Sequence, residues 1–349
     1  MTESPWRLGN QDIEPSRNDA KASLIVITHN SKDTIADSIS SITGNLKDLV
    51  DELIVVDNAS VDGTLEELAR LKLLYPNLKV IRESENQGFR KGVNVGMTEA
   101  KNNIVIISNP DIFIPDDSVR KCISALDNPK VGLVFPRTIL YDSIRGPNPA
   151  LTSYPTRVVL PFILLYPTYD ESTKKPPEWN IPTEVAATAF FVAKKEILLR
   201  IGGLDEGIFM NEEEEELAMK IRGMNCQVIF CPSAVAYHLG SASLKKTPER
   251  YWLFTFHTYA AGVYLYHKYC IDRTVNRAMW WLIYFTRSVI ASMVLRKSYP
   301  LRITLQLYIQ NKKVRFNQKF NAVWRPALML SPRLWTWVIK RSSMRLNWL

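Results

Sequence analysis

The chain has 349 residues, 46% of them hydrophobic and 23% charged, and its formal net charge is +9. This composition excludes a disordered protein, because a chain of this length and hydrophobicity can bury a sizeable core in one or two domains. Four cysteines, none in a C-x-x-C pair, exclude a disulfide framework and a cysteine zinc site. We therefore expect reduced, buried thiols in a cytoplasmic protein.

The first hundred residues alternate between apolar runs and segments with helical spacing. Residues 1–21 are predicted to be a polar leader. Strands are predicted at Ser23–Thr28, Glu52–Val56, Leu78–Arg82 and Ile104–Ser108. Helices are predicted at Asp33–Ile42, Leu65–Leu74 and after Gly88, with Thr64 capping the second helix and Glu67 in the capping-box position. This alternation is typical of a parallel α/β sheet.

The predicted elements after residue 130 are shorter and less regular. Strands are predicted at Gly132–Pro136, Thr188–Ala193, Gln227–Cys231 and Ala234–Tyr237, and helices at Glu196–Ile201 and Glu214–Arg222. Residues 142–182 are rich in Pro, Ser, Thr and Tyr. That composition predicts a long irregular excursion, of the kind that forms an active-site lid or an acceptor-binding loop.

Polar residues at the ends of apolar segments indicate a site. His29, Asp57 and Asp111 each follow a predicted strand, and ligands gather at the carboxyl ends of parallel strands. An acidic run at 212–216 and a lone His238 come later. Together these residues suit an enzyme that holds a metal-diphosphate and deprotonates a hydroxyl. Each has an alternative explanation: a turn former, a solvated acidic helix start or a structural histidine.

The C-terminal region differs sharply in charge from the rest. Residues 240–349 contain 19 Lys and Arg but two Asp and Glu, and seven of the nine Trp. The apolar stretches Tyr251–His267 and Ala278–Leu295 are poor membrane spans, being short or carrying Arg287 at the centre. We predict amphipathic helices on a membrane surface with anionic lipids. The alternative is a soluble helical extension or an oligomer contact; no nucleic-acid partner is expected, because no recognised module is present.

Seven segments occur in an order that carries a family resemblance. They are SLIVITHNS, ELIVVDNASVDGT, ENQGFRKGVNVGM, ISNPDI, TAFFVAKKEILLRIGGLDE, FMNEEEEELAMKIR and AVAYHLGSAS. Together they resemble the family 2 inverting glycosyltransferases, especially the rhamnosyltransferase-like branch, over about residues 22–243. The resemblance implies a Rossmann-like α/β domain of the GT-A fold. It also implies transfer of a sugar from a nucleotide-diphosphate donor with inversion.

The resemblance assigns roles position by position. Thr28, Asn30 and Asp57 would line the base and ribose pocket, and Asn58 and Asp62 would support that loop. The diphosphate or donor sugar would lie near Asn86, Gly88 and Asn94. Asn109-Pro110-Asp111 matches the D-x-D metal motif. The full implied donor-binding set is Thr28, Asn30, Asp57, Asn58, Asp62, Asn86, Gly88, Asn94, Asn109 and Asp111.

The implied metal ligands are Asp111 and His238, and the implied catalytic base is Glu214, with Glu213 as the alternative. Mg²⁺ and Mn²⁺ keep waters and phosphate oxygens in their shell, so two protein ligands suffice, and imidazole slightly favours Mn²⁺. The chain departs from the family pattern in three places. Glu214 stands where Asp is usual, Arg90-Lys91-Gly92 replaces small residues, and Thr188 stands where Gly is common.

The sequence thus predicts a GT-A domain over residues 22–243, followed by a basic, Trp-rich, α-helical membrane-associating region over residues 244–349. The expected enzyme is a hexosyltransferase, peripheral on the cytoplasmic face of the cell membrane. Its expected donor is dTDP-rhamnose and its acceptor a lipid-linked or other saccharide. Two alternatives are a sugar nucleotidyltransferase and a non-catalytic nucleotide-binding scaffold. The first would need a Gly-rich basic loop after the first strand, where this chain has His29-Asn30-Ser31-Lys32.

Overall fold

The computed structural model describes residues 21–44, 46, 48–114, 117–142, 146–148, 158–160, 163–165, 180–183, 186–207, 213–239 and 289. The chain divides into two compact units, Met1–Leu244 and Lys245–Leu349, and every described residue except Val289 lies in the first. The polar leader, most of the 142–182 excursion and the basic C-terminal region lie outside the described residues, so the expectations for them stay predictions. Within the described part of the chain, no helix is both long and apolar enough to cross a membrane.

Twelve strands are present in the described residues. In chain order, β1 to β6 are Ala22–Thr28, Val50–Asp57, Leu78–Arg82, Ile104–Ser108, Ile112–Phe113 and Val131–Asp142. Strands β7 to β12 are Gly146–Asn148, Val158–Leu160, Ile163–Leu165, Ile181–Pro182, Phe190–Lys194 and Gln227–His238. Short paired strands therefore occur within the excursion predicted to be irregular, with β7 against β6 and β8 against β9.

Six helices connect these strands. Helices α1 to α6 are Ile35–Thr43, Thr64–Leu74, Phe89–Glu99, Ser118–Ala125, Lys195–Arg200 and Glu213–Gly223. Helix α2 corrects the predicted cap. It begins at Thr64 itself, whose N–H donates to Asp62 Oδ1 at 3.0 Å, so Asp62 satisfies this end of the helix. Glu67 pairs with Arg70 at 3.0 Å instead of completing a capping box.

The main sheet has the order β10-β12-β6-β11-β4-β1-β2-β3. Strands β4, β1, β2 and β3 are parallel, as the alternating pattern predicts. Strand β11, which lies beyond the alternating part of the chain, runs antiparallel to both β4 and β6, so the complete sheet is mixed. Apolar runs alone could not reveal this, because a fully buried strand has the same pattern in either direction.

Both faces of the sheet are covered by helices. One core packs α1, α2 and α4 against β1, β4 and their neighbours. The other packs α3, α5 and α6 against the opposite face. Helix α3 comes especially close to β1, since a Cβ at Gly92 would lie 2.8 Å from Ile27 Cγ2. Among the described cysteines, Cys122, Cys226 and Cys231 are free and buried, which confirms the expected burial of these three thiols.

Strand β12 brings the later residues to the edge where the first strands end. The two extended pieces predicted at 227–231 and 234–237 form one strand, with a register irregularity between Cys231 and Val235. Its last residues pair with β5, placing His238 opposite Ile112. This pairing joins the end of β12 to the segment that follows β4.

Candidate active site

The carboxyl ends of β1, β2 and β4 meet at one edge of the sheet. Thr28 pairs with Asp57 across β1 and β2, and Val26 pairs with Ser108 across β1 and β4. The segments that follow these strands, beginning at His29, Asn58 and Asn109, therefore emerge side by side. This is the arrangement predicted from the positions of polar residues in the sequence.

The loops after β1 and β2 are bonded to each other. Asn30 takes the left-handed conformation with φ 53°, and its N–H donates to Ser60 Oγ at 2.8 Å. Asn30 Oδ1 in turn accepts from the N–H of Val61 at 2.9 Å. His29 Nδ1 lies 2.6 Å from the carbonyl oxygen of Asn58. Asn30 therefore holds the two loops in register, a contact that its place in the sequence does not reveal.

Three buried oxygens at this edge have no partner among the described residues. They are Thr28 Oγ1, Asp57 Oδ1 and Asn58 Oδ1. Asp57 is fully buried, and its other oxygen accepts from the N–H of Ser60 at 3.1 Å. An unsatisfied buried polar atom costs about 1–3 kcal/mol. The arrangement is therefore suited to a polar ligand that donates to these atoms.

Asp62 stiffens the same loop from its outer side. Although burial raises its pKa, hydrogen bonds from the Thr64 hydroxyl and from the N–H groups of Lys32 and Thr64 outweigh that effect and lower the pKa below the ordinary value. The Thr64 hydroxyl lies 2.5 Å from Asp62 Oδ1, and the Lys32 N–H lies 3.2 Å from Oδ2. Asp62 thus ties the start of α2 to the loop after β1.

The segment before α3 turns at Gly88, whose φ of 87° and ψ of 172° favour glycine. Asn86 Oδ1 accepts from the Gly88 N–H at 3.0 Å, and Asn58 Nδ2 donates to the Gly88 carbonyl at 3.2 Å. Asn94 lies further along the helix. Its amide bonds both backbone groups of Leu204, at 2.8 and 2.9 Å, and also Glu206 Oε1 at 2.9 Å. Its described contacts thus hold the 203–206 segment against α3.

Asp111 and His238 come together, although 127 positions separate them in the sequence. His238 Nε2 lies 3.2 Å from Asp111 Oδ1. The β5–β12 pairing produces this contact, and the N–H of Leu239 also donates to the Asp111 carbonyl at 3.1 Å. Asn109 is held through its backbone, its N–H donating to the carbonyl of Ala189 at 2.8 Å.

The acidic run begins α6 beside the start of β11. Thr188 Oγ1 donates to Glu214 Oε1 at 2.9 Å, and the N–H of Ala186 donates to the Glu214 carbonyl at 3.4 Å. Since Ala189 is bonded to Asn109, this carboxylate belongs to the same end of the sheet as Asp111. Glu213 and Glu216 instead meet Arg90, a buried cation that sequence reasoning treated only as a departure from the family pattern. The acidic run at 212–216 could have predicted a buried cation nearby, because closely spaced carboxylates are stabilised by a positive charge.

The described residues can be tested for their fit to a metal ion. They contain no group of three or more His, Cys, Asp or Glu that could hold a metal ion by themselves. Asp111 and His238 offer one carboxylate and one imidazole, and phosphate oxygens or waters would complete the shell of a hard cation. The pair therefore fits the two-ligand site expected from the sequence.

Comparisons with known proteins agree with this architecture. The model of the glycosyl transferase family 2 matches residues 23–201, slightly more than half of the chain. A dolichol-phosphate mannosyltransferase from Pyrococcus furiosus is 32% identical over 108 residues, which are 31% of this chain and 30% of that protein. An N-acetylglucosaminyl-diphospho-decaprenol L-rhamnosyltransferase from Mycobacterium tuberculosis is 21% identical over 277 residues, 73% of this chain and 84% of that protein.

A solved structure gives the same fold. The mannosyltransferase PcManGT from Pyrobaculum calidifontis, in complex with GDP-Man and Mn²⁺, superposes with a TM-score of 0.50 at 20% identity, covering 97% of this chain and 88% of that one. The predicted α/β GT-A-like fold is thereby confirmed for the described part of the chain. Because the family model spans more than half of its residues, this protein belongs to glycosyl transferase family 2.

Proposed function

We propose that this enzyme transfers a sugar from a nucleotide-diphosphate donor to a hydroxyl of a lipid-linked saccharide, with inversion at the anomeric carbon. The observation that carries the proposal is the 3.2 Å contact between Asp111 and His238 at the carboxyl end of β4. It brings a carboxylate and an imidazole from distant parts of the chain to the edge that also carries Asp57. The β5–β12 pairing explains why the two segments meet, but a turn that served the fold alone would not require a carboxylate to face an imidazole there.

The nucleotide end of the donor would lie against β1 and β2. Asp57 Oδ1 and Thr28 Oγ1 are buried and lack a partner among the described residues, so a base or ribose that donates hydrogen bonds would satisfy them. Asn58, Asp62 and Asn30 would act by holding the two loops rigid. Such a pre-formed pocket lowers the entropy lost on binding.

The diphosphate would be held at Asp111 and His238 together with a divalent cation, Mn²⁺ in preference to Mg²⁺. When bound, that cation supplies positive charge to the departing diphosphate. Asp111 and His238 would fix its place, and the donor sugar would lie near Asn86, Gly88 and Asn94. The presence of Mn²⁺ in the PcManGT complex supports this assignment.

Glu214 would be the general base. Its Oε1 accepts from the Thr188 hydroxyl, which orients the carboxylate. An inverting transfer needs a base on the face of the sugar opposite the leaving diphosphate. Glu214 would remove the proton of the acceptor hydroxyl as its oxygen bonds to the anomeric carbon and the bond to the diphosphate breaks. Glu213, which lies 3.7 Å from a nitrogen of Arg90, is the second choice.

Two features of the chain support the rhamnosyltransferase-like branch and the lipid-linked acceptor. The mycobacterial relative acts, by its name, on a decaprenol-linked saccharide, and its alignment covers 84% of that protein. The basic, Trp-rich region 244–349 fits attachment to anionic lipid, where polyprenyl-linked acceptors lie. We therefore propose dTDP-rhamnose as the donor and the cytoplasmic membrane face as the place of action.

Thermal unfolding with dTDP-rhamnose, UDP-glucose, UDP-N-acetylglucosamine and GDP-mannose tests the donor site. A ligand that binds only the folded chain raises the melting temperature. We expect a rise with one donor that requires Mn²⁺ or Mg²⁺ and is lost in Asp111→Ala. Asp117→Ala is the matched control, since it removes an exposed carboxylate that pairs with Lys121 at 2.7 Å. Metal-dependent binding retained in Asp111→Ala would refute the ligand role.

Vesicle flotation of the full chain tests the membrane proposal. We expect co-flotation with vesicles that contain phosphatidylglycerol, weaker binding to pure phosphatidylcholine and release by high salt, because screening shortens the range of charge attraction. Equal binding to both vesicle types would contradict the role of the basic region, but not the role of the donor site.

A further inference from the structure

Arg90 is a buried arginine in the first turn of α3, on the face that packs towards α6. Its side chain is 1% exposed, and it is the largest fully buried side chain in the described residues. Burial of a guanidinium is costly unless it is paired and hydrogen-bonded. The partners of Arg90 must therefore offset this cost.

Two carboxylates at the start of α6 meet this cation. Arg90 Nη1 donates to Glu216 Oε2, and Arg90 Nη2 lies 3.7 Å from Glu213 Oε2. Nη1 also reaches the carbonyl of Asp205 at 3.5 Å. Glu216 is itself 1% exposed and accepts further from Lys220 Nζ at 2.9 Å and from the Asp205 N–H at 3.2 Å. Arg90 thus joins α3 to α6 and to the segment that leads into it.

The spacing along α6 separates these glutamates from the proposed base. Residues 213, 216 and 220 share one side of a helix, because three, four or seven positions bring the chain back to nearly the same face. Glu214 is turned by about 100° from Glu213. It bonds Thr188 at the start of β11 instead. One side of the first turn is therefore anchored on Arg90 while the neighbouring side presents the base.

The charge of α6 favours such an anchor. Helix α6 has four glutamates in its first turn. A helix N-terminus favours negative charge, but carboxylates packed this closely also repel one another. A fixed cation on one side removes part of that repulsion and limits the positions that the first turn can take.

We propose that Arg90 is a positioning residue for the catalytic base: by holding Glu213 and Glu216, it sets the place of Glu214 against Thr188 and selects which glutamate faces the acceptor. This inference rests on the proposed role of Glu214. It also explains the departure from the family pattern at Arg90-Lys91-Gly92. The arginine replaces a small residue at a position that faces the acidic start of α6.

Lys91 is the matched control for Arg90. It is the next residue of the same helix, and its Nζ lies 3.1 Å from Glu206 Oε2 in the same neighbouring segment. Its side chain is 35% exposed, so the pair is solvated and screened. Lys91→Met removes a cation from α3 without touching the first turn of α6.

Amide hydrogen exchange of the full chain, without any donor, gives the first test. We expect Arg90→Met to speed exchange in residues 213–223 relative to the wild type, and Lys91→Met to leave it unchanged. Arg90→Lys keeps the charge but cannot reach both carboxylates with a planar fork, so its exchange should fall between the two. Equal exchange of α6 in Arg90→Met and Lys91→Met would overturn the proposal.

Catalysis in two backgrounds gives the second test, with release of nucleoside diphosphate from the four donors named above as the assay. We expect Arg90→Met to lower kcat about 10-fold or more with little change in donor KM, and to have no further effect in a Glu214→Gln background. A purely structural arginine would lower activity in both backgrounds. If Glu214→Gln released nucleoside diphosphate at the wild-type rate, the proposed function itself would be contradicted. If Glu214→Gln lost this activity while Arg90→Met kept the wild-type rate, only the proposed role of Arg90 would be contradicted.

The double variant Arg90→Met/Glu216→Met guards against simple misfolding, because it removes both buried charges and fills the space with apolar side chains. We expect its melting temperature to return towards the wild-type value while kcat stays about 10-fold low, since Glu213 has still lost its cation. Recovery of both stability and kcat would show that Arg90 serves the fold alone.

Discussion

The two sides of the site satisfy their buried polar groups differently. At the edge of β1 and β2, Thr28 Oγ1 and Asp57 Oδ1 are buried with no partner in the described part of the chain. At the start of α6, the buried carboxylate of Glu216 is surrounded by Arg90, Lys220 and the N–H of Asp205. The first region fits a surface that a ligand completes, and the second is organised in advance by the protein. Stability and binding should therefore respond oppositely to mutation in the two places.

The largest effect is expected at the proposed base. Glu214→Gln keeps the hydrogen bond to Thr188 but cannot accept a proton, so kcat should fall about 10²–10⁴-fold. Donor affinity, measured by the donor-induced shift in melting temperature, should stay within about twofold, because the nucleotide pocket is formed by β1 and β2. A kcat near the wild-type value would move the base to Glu213 or remove it from this helix.

The next effect tests the pre-organised side by stability alone. Glu216→Ala leaves Arg90 buried without its main carboxylate, and breaking a buried ion pair in this way should cost about 3–5 kcal/mol of unfolding free energy. Urea denaturation measures the change. Glu206→Ala is the control, because it removes a carboxylate from the exposed pair with Lys91 and should cost about 1 kcal/mol or less. Equal losses in the two variants would contradict the distinction between the two regions.

The ligand-completed side should show the opposite response. Asp57→Asn removes a buried charge whose Oδ1 has no described partner, so the unliganded protein should lose little stability or gain some. Donor affinity should fall by about 1–3 kcal/mol, the range for leaving a buried polar group unsatisfied. Thermal unfolding with and without donor measures both quantities. A large loss of stability without ligand would place Asp57 among the groups that hold the fold.

The smallest effect concerns Asp62, which is part of the loop scaffold. Its pKa is lower in the folded chain than its ordinary value of 3.8, so its contribution to stability is complete above that value and is lost as the pH falls through the folded pKa. Asp62→Asn should therefore flatten the pH dependence of unfolding below about pH 4. Asp37→Asn, at an exposed position, is the control. If the two variants unfolded identically in acid, Asp62 would not stabilise the loop.

Much of the site could be predicted because it lies at strand ends. Asp57 and Asp111 follow apolar runs, and parallel strands bring their carboxyl ends to one edge, so their placement at the same edge could be predicted without knowledge of long-range contacts. His238 was selected as a partner of Asp111 by family resemblance. Their contact depends on the β5–β12 pairing, which no local pattern reveals.

The amino-acid sequence by itself determined the alternating strands and helices, the carboxylates at their ends and the acidic start of α6, because each is written in local periodicity and composition. Only the tertiary structure decided the antiparallel insertion of β11, the amide contacts of Asn94 with Leu204, and the burial of Arg90 against Glu216. These depend on which distant segments pack together. The choice among five consecutive glutamates is of this second kind, since adjacent positions of one residue type differ only in what the fold places beside them.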